Sequence, residues 1–428
     1  MKKNILIYLG FVGCFLMLFN PLAYGLVTWP TGSAPCDDIN DIETCINGVA
    51  DGEIIEIAAN TIPSQSAVTV SPAKSFTLKP ASGFIPVFSS FTSFFIPGSN
   101  DDITVIIEGL TIEVGNFSAK QGGSGIFDVT FKNNIVEDSL FRTALEVSSG
   151  NANPPYGPVV FLVEGNILNV QDEVVSGISI GSFSGATNNG KIINNRVIAN
   201  NTGQAAVISV NASSNSTFNA EVIGNEVIGQ NFNTGISLRL FGTGGFFNAK
   251  AINNVVQGQS NISGQPAAIS LSNSSSVSGH SIFEIINNTL AFNQNGISYG
   301  GRSDLGAASN ATIMNNIIAF NSQNGLNLSE FDSTTINDYN LIFGNTSDFY
   351  NSGANDVTKD PMFVSNLNLR LQQLSPAVGA GLNSAVPVDT VTDIDGNMRI
   401  RQLRVDIGAY ESSFIGDFIF KNGFDSWV

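Results

Sequence analysis

The sequence is poor in charge. Asp, Glu, Lys and Arg make up 12% of its 428 residues, about half the usual share. Lys, Glu and Arg, which favour helices, are scarce. Val, Ile, Phe, Ser, Thr, Asn and Gly remain to set the secondary structure, and that mixture favours strands and turns. Positive charge is shortest of all. Eighteen Lys and Arg against 35 Asp and Glu give a net charge of −17. Such a balance repels nucleic acid and anionic membranes and suits an extracellular surface that meets neutral or cation-bridged partners. Histidine occurs once and cysteine three times. After the N-terminus no apolar run reaches the ~18 residues that a membrane span needs. The length suffices for one elongated domain or two to three compact ones.

The first residues, MKKNILIYLGFVGCFLMLFNPLAYG, place two lysines before an apolar stretch and small residues at its end. This pattern predicts a secretory signal over residues 1–25, removed after Gly25, and hence a secreted or cell-surface protein. A lipoprotein signal at Cys14 is the weaker reading, because the apolar run continues past that cysteine. Cleavage leaves Cys36 and Cys45, which in an oxidising compartment either form one disulfide or stay as two buried thiols.

Internal repetition is the main feature. The second residue of an Asn-Asn or Gly-Asn pair recurs at Asn134, Asn166, Asn195, Asn225, Asn254, Asn288 and Asn316, with Asn340 as an eighth, in steps of 32, 29, 30, 29, 34, 28 and 24 residues. A second phrase keeps the same period: A-L-E-V at Ala144, G-I-S-I at Gly177, V-I-S-V at Val207, G-I-S-L at Gly235, A-I-S-L at Ala268, G-I-S-Y at Gly296 and G-L-N-L at Gly325. Each unit holds short β runs and shows no helical period. It cannot bury its apolar face alone, and stacking coil on coil solves that. The expected fold is all-β, a parallel β-solenoid of about eight or more coils.

Columns follow from aligning the repeats. The position before the recurrent asparagine is only Asn or Gly, the residues that best tolerate positive φ, which predicts a bend between strands. Asparagine itself never varies through seven coils. An in-register stack lets buried amides hydrogen-bond from coil to coil, whereas exposed Asn-rich turns are the alternative. Three positions before it, and two after it, every residue is apolar, as an inward stack requires. Four before it, Lys191, Glu221, Lys250 and Glu284 alternate in sign and predict an outer ion-pair column, with Arg196 and Glu226 as a second pair. Two before it, Ile193, Ile223, Ile252, Ile286 and Met314 form an apolar stripe on what alternation makes the outer face. Such a stripe needs cover by a loop, by the C-terminal segment or by a partner.

A solenoid end also needs a cap. Residues 37–50 read as a short amphipathic helix with Ile39, Ile42, Cys45, Ile46 and Val49 on one side, and residues 53–57 as the first strand.

With its [NG]-N-x-[ILV] and G-I-x-L phrases over residues 131–342, the chain resembles the right-handed parallel β-helix proteins of the pectate-lyase-like superfamily. That resemblance implies the right-handed coil and a link to carbohydrate. Farther on, DPMF from Asp360, NLRLQQLSPAVGAG from Asn368, DIDGNMR from Asp393 and DIGAYE from Asp406 resemble the choice-of-anchor Q domain of bacterial secreted β-helix proteins. Val378-Gly379 departs from the more usual Ile-Asp of that family. The tail DFIFKNGFDSWV is similar to short C-terminal tails of some secreted proteins and suggests sorting, an edge strand or a frayed end. The resulting organisation is a signal (1–25), a cap with first strand (26–58), the β-helix (59–345), a choice-of-anchor Q-like segment (346–411) and a tail (412–428).

Chemistry is harder to find. No aspartate cluster, G-H-G or R-x-P-x-x-R occurs. Arg239 and Arg302 follow two of the Gly-Ile-Ser phrases, two coils and roughly 10 Å apart. With Asp304 and the lone His280 they are the candidate groove for an acidic sugar, against a reading as ordinary loop residues. Asp393 and Asp395 are spaced like the start of a calcium loop, but the later acidic ligand is missing. They fit better as acceptors within a turn, paired with Arg399, and no cofactor other than calcium is suggested. The favoured function is binding of extracellular glycan or a surface partner without catalysis. The alternative is a carbohydrate-active enzyme, a polysaccharide lyase before a glycoside hydrolase.

Overall fold

The computed structural model describes residues 25–139, 143–149, 156–171, 176–181, 185–259, 267–275, 279–301, 308–328, 335–347, 353–401 and 403–413. Residues 1–24 of the signal, the tail from 414 onward, Arg302 and Asp304 lie outside them.

The chain winds into an all-β parallel solenoid. Twelve strands stack into one sheet, from Leu26–Trp29 and Glu53–Ile57 through Thr187–Ile193, Thr217–Ile223 and Phe246–Ile252 to Thr335–Asp338. After each bend a second wall begins, with strands such as Ile135–Val136, Ile167–Val170, Val255–Gln259 and Thr289–Ala291. A third wall carries the Gly-Ile-Ser phrases, in strands such as Leu145–Ser149, Ala267–Ser275 and Asn295–Gly301. In four of the described coils the second and third walls are one continuous strand, Val87–Pro97, Thr111–Gln121, Arg196–Ala212 and Glu226–Gly242. Every strand pairing of the solenoid is parallel, and the same columns meet coil after coil, as in Lys191 beside Glu221 and Glu221 beside Lys250.

The inward columns are as the repeats predict. Phe131, Val163, Ile192, Val222, Ala251, Ile285 and Ile313 are buried, and so are Val136, Leu168, Val197, Val227, Val256, Leu290 and Ile318. Each such branched aliphatic side chain contributes roughly 1.5–3 kcal/mol by leaving water. Phenylalanines fill the wider interior, Phe161, Phe218, Phe247 and Phe283 lying 5.7–6.0 Å apart from ring to ring in sequence.

At the bend, Asn133, Asn194, Asn253, Asn287 and Asn315 have φ of 54–58°, Gly165 and Gly224 have 66° and 64°, and the eighth coil uses Tyr339 at 57°. The order of Asn and Gly has a steric cause. A Cβ at Gly165 would lie 2.4 Å from Asn133 Oδ1, and one at Gly224 would lie 2.4 Å from Asn194 Oδ1. Glycine therefore follows where the asparagine below leans over the next bend.

The recurrent asparagines form a ladder of eight rungs. From Asn134 to Asn340, each Nδ2 donates to the Oδ1 of the next coil at 2.8–3.2 Å. The same Oδ1 also accepts the backbone N–H of the coil below, as Asn195 Oδ1 does from Asn166 at 3.0 Å. The second Nδ2 hydrogen reaches a carbonyl of the preceding coil, as from Asn195 to Val163 at 2.9 Å. Each interior amide thus meets all its hydrogen-bonding needs, which makes its burial tolerable. At the upper end Asp356 takes over, accepting from Asn340 N at 2.7 Å. A second, shorter ladder, Asn293–Asn321–Asn345, follows Phe292, Phe320 and Gly344, which have φ of 60°, 57° and 69°.

The N-terminal cap differs in two ways from the sequence reading. Leu26–Trp29 pairs beneath Glu53–Ile57, so the first strand precedes the helix. The helix spans only Ile42–Gly48, because Asp41 caps it by accepting from Thr44 N at 2.8 Å and Asp38 holds Asn40 N in a turn. Ile42, Cys45 and Ile46 face the core, and Cys45 is joined to Cys36 by a disulfide.

The C-terminal segment, 353–413, lies along the outside of the later coils. Its hairpin Phe363–Ser365 and Asn368–Leu371 is antiparallel. Phe363, Leu369, Leu371, Ala377, Ile407, Ala409 and Tyr410 bury the outer face of the second wall at Val255, Ala291, Ile317, Ala319 and Leu341. The bend asparagines that are not followed by glycine serve as its attachment points. Asn253 donates to the Thr392 carbonyl, Asn287 to those of Asp406 and Gly408, and Asn315 to that of Leu382. The apolar outer stripe is therefore covered by the chain itself where the segment lies. Ile252, Ile286 and Met314 are 1%, 3% and 8% exposed, while Ile193 and Ile223 are half-buried.

Candidate functional site

Along-strand alternation sends Arg196, Ile198 and Asn200 outward from one coil and Glu226, Ile228 and Gln230 outward from the next, in register. The next coil adds Gln257 and Gly258. Here the C-terminal segment begins to cover the wall, and a groove of about 430 Å³ opens at the seam. The coils supply its floor; Phe292, Asn366 and Leu367 close one side. Gln257 Nε2 donates to the Asn366 carbonyl and ties the hairpin to the floor.

The groove is polar without carrying a free charge on its floor. Arg196 Nη1 lies 2.7 Å from Glu226 Oε2, so the pair presents hydrogen-bonding edges with little net field. At the rim, Arg370 lies over the Tyr410 ring at 4.8 Å, with its Nε 2.6 Å from Asp395 Oδ2. Both Arg370 and Tyr410 are near enough to Glu226 to interact with its charge. Burial pushes the Tyr410 hydroxyl up to about 12, which keeps it a neutral hydrogen-bonding group. Three amides, a neutralised ion pair and the aliphatic faces of Ile198 and Ile228 can hold a neutral polyhydroxylated ligand. This set pairs no nucleophile with a base.

Arg239 and His280, singled out from sequence, lie elsewhere. Arg239 stands exposed on the third wall, its guanidinium 5.4 Å from the Phe241 ring centre and 3.4 Å from Ser274 Oγ. His280 opens a strand of the twelve-stranded sheet and stacks on Phe246 at 5.6 Å. Each has its own aromatic neighbour.

Asp393 and Asp395 act as turn acceptors; Asp393 keeps the expected electrostatic interaction with Arg399, whereas Asp395 has a different cationic partner. Asp393 accepts from the backbone N–H of Asp395, Asn397 and Glu411 and from Asn397 Nδ2. Asp395 pairs with Arg370, not Arg399. Among the described residues no group of three or more His, Cys, Asp or Glu is arranged to hold a metal ion. Nor, among them, is any helix long and apolar enough to cross a membrane.

Arg399 instead enters the interior. It is 1% exposed, with Nη2 donating to the carbonyls of Asp406 and Gly408 and lying 3.2 Å from Glu411 Oε1. Asp406 accepts from Gly379 N at 2.6 Å and Ser412 N at 2.7 Å. Burial pushes the Glu411 carboxyl up to about 9 and raises that of Asp406, against the opposing pull of Arg399. The DIDGNMR and DIGAYE motifs are thus a buried clasp that fastens the segment.

The groove was hidden from sequence reasoning because its halves lie 109 residues apart, at Gln257 and Asn366. The alternation of Ile198 and Ile228 with amides was the only legible trace. No protein-family model matches the chain, and no curated protein matches it.

Proposed function

We propose that this is an extracellular glycan-binding protein without catalysis, built as a right-handed β-helix of the pectate-lyase-like kind with a choice-of-anchor Q-like C-terminal segment. The observation that carries the reading is the seam groove, where Asn200, Gln230 and Gln257 surround a neutralised Arg196–Glu226 pair above an aliphatic floor. Amides match sugar hydroxyls as paired donors and acceptors, and Ile198 and Ile228 match the C–H faces of a sugar ring. The absence of unpaired charge on the floor favours neutral sugars over uronates.

Affinity electrophoresis of the full chain through neutral and acidic polysaccharides tests this. Retardation by neutral glycan is expected. Gln230→Ala, which removes about 1 kcal/mol or more of hydrogen bonding, should weaken binding roughly tenfold. Unsaturated uronate released from an acidic polysaccharide, and lost in Arg239→Ala, would overturn the binding-only reading in favour of a lyase.

A further inference from the structure

The groove is closed along one direction of the tube and open along the other. Toward the C-terminus the same outer face lies under the C-terminal segment: Val255 is 2% exposed, Ala291 0% and Ile317 1%. Asn366 and Leu367 stand at that boundary, and the bond from Gln257 holds them against the floor. Leu367 itself is 92% exposed, so it projects as an end wall and is not part of the packed interface. Toward the N-terminus the second wall stays bare among the described residues. Ile167 is 40% exposed and Ile135 half-buried, continuing the Arg196–Glu226 column for two more coils. Coils are about 4.8 Å apart, close to the length of one sugar unit, so a glycan lying along the tube meets about one coil per sugar.

We infer that the groove recognises the end of a glycan chain, not its interior. This rests on the glycan-binding reading above and adds a polarity to it. The terminal sugar sits against Phe292 and Leu367, where the amides of Gln257 and Gln230 meet its ring hydroxyls. Following sugars run out over Ile198 and then Asn169, with Ile167 beside them. An internal stretch of polymer cannot take this place, because its continuation would have to pass through the packed Phe363–Leu371 hairpin.

The test titrates the full chain calorimetrically with matched pairs of neutral probes: a linear hexasaccharide and its parent polymer, for soluble β-1,4-mannan, mixed-linkage β-glucan and α-1,6-glucan, together with a cyclic β-glucan that has no ends. The expected result is one Kd for hexasaccharide and polymer when concentration is counted as chain ends, no binding of the cyclic glucan, and a several-fold weaker hexasaccharide with Leu367→Ala. Equal affinity per sugar unit, binding of the cyclic glucan, or an unchanged Leu367→Ala would overturn end recognition while leaving glycan binding intact. Failure of every probe to bind would overturn both.

Discussion

The solenoid contains two regions built on the same columns but finished differently. In the coils up to Glu226, the position just after the ladder carries Ile135, Ile167, Arg196 and Glu226, which are exposed or half-buried. From Val255 onward it carries Val255, Thr289, Ile317 and Leu341, all buried beneath the C-terminal segment. The bend column changes at the same place. Asparagine alternates with glycine in the earlier coils, then repeats at Asn253, Asn287 and Asn315, whose side chains now hold the segment. One scaffold thus serves as an open surface over part of its length and as an interior over the rest. The groove lies at the border between the two.

The largest effect should come from the clasp. Arg399→Met removes the cation facing the buried Asp393 and Asp406 and the hydrogen bonds it donates to the Asp406 and Gly408 carbonyls, a change that costs roughly 3–5 kcal/mol. Hydrogen exchange by mass spectrometry should then rise across residues 353–413 while the earlier coils keep their protection. Uniform loss of protection along the tube would show that the two regions are not separable. Next is the ladder, which runs through both. Asn195→Ala and Asn288→Ala each orphan several buried groups, at about 1–3 kcal/mol apiece. Similar losses in thermal stability are expected for the two, and a near-neutral result for either would sink the ladder account.

A sharper contrast comes from the outer faces. Ile317→Ser should cost about 2 kcal/mol of buried apolar surface, and Ile167→Ser no more than about 0.5 kcal/mol, both measured by denaturant unfolding. A pH-dependent effect follows from Glu411. Its carboxyl holds a proton in the fold up to about pH 9, whereas in the unfolded chain it loses that proton near the ordinary value of 4.5. Between those limits the folded state binds more protons, so stability falls as pH rises, by at most about 1.4 kcal/mol per pH unit. Asp406, also raised, acts in the same direction. Glu411→Gln should flatten the slope of thermal stability between pH 6 and 8; an unchanged slope would assign it to other groups.

Much of the architecture could be read from the sequence, because in-register stacking converts a column in the text into a contact in space. The ladder, the inward aliphatic stacks, the Lys191–Glu221–Lys250–Glu284 ion pairs and the need to cover Ile252, Ile286 and Met314 all came from one alignment of repeats. The shorter ladder at Asn293, Asn321 and Asn345 was equally legible in AFNQNG, AFNSQNG and GNTS, but its repeats are few and the main ladder masked them. The strand Leu26–Trp29 precedes the first recognisable unit and has no column to announce it. The groove depends on where a distant hairpin comes to rest, and periodicity within the coils carries no information about that.

The division into open and covered coils is tested most directly by hydroxyl-radical footprinting of the intact chain, which reports side-chain access to water. The structure predicts fast oxidation of Ile167, Leu367 and Met398 and slow oxidation of Met314, Ile286 and Ile317. Comparable rates for Ile167 and Ile317, or rapid modification of Met314, would mean that the C-terminal segment does not cover the later coils.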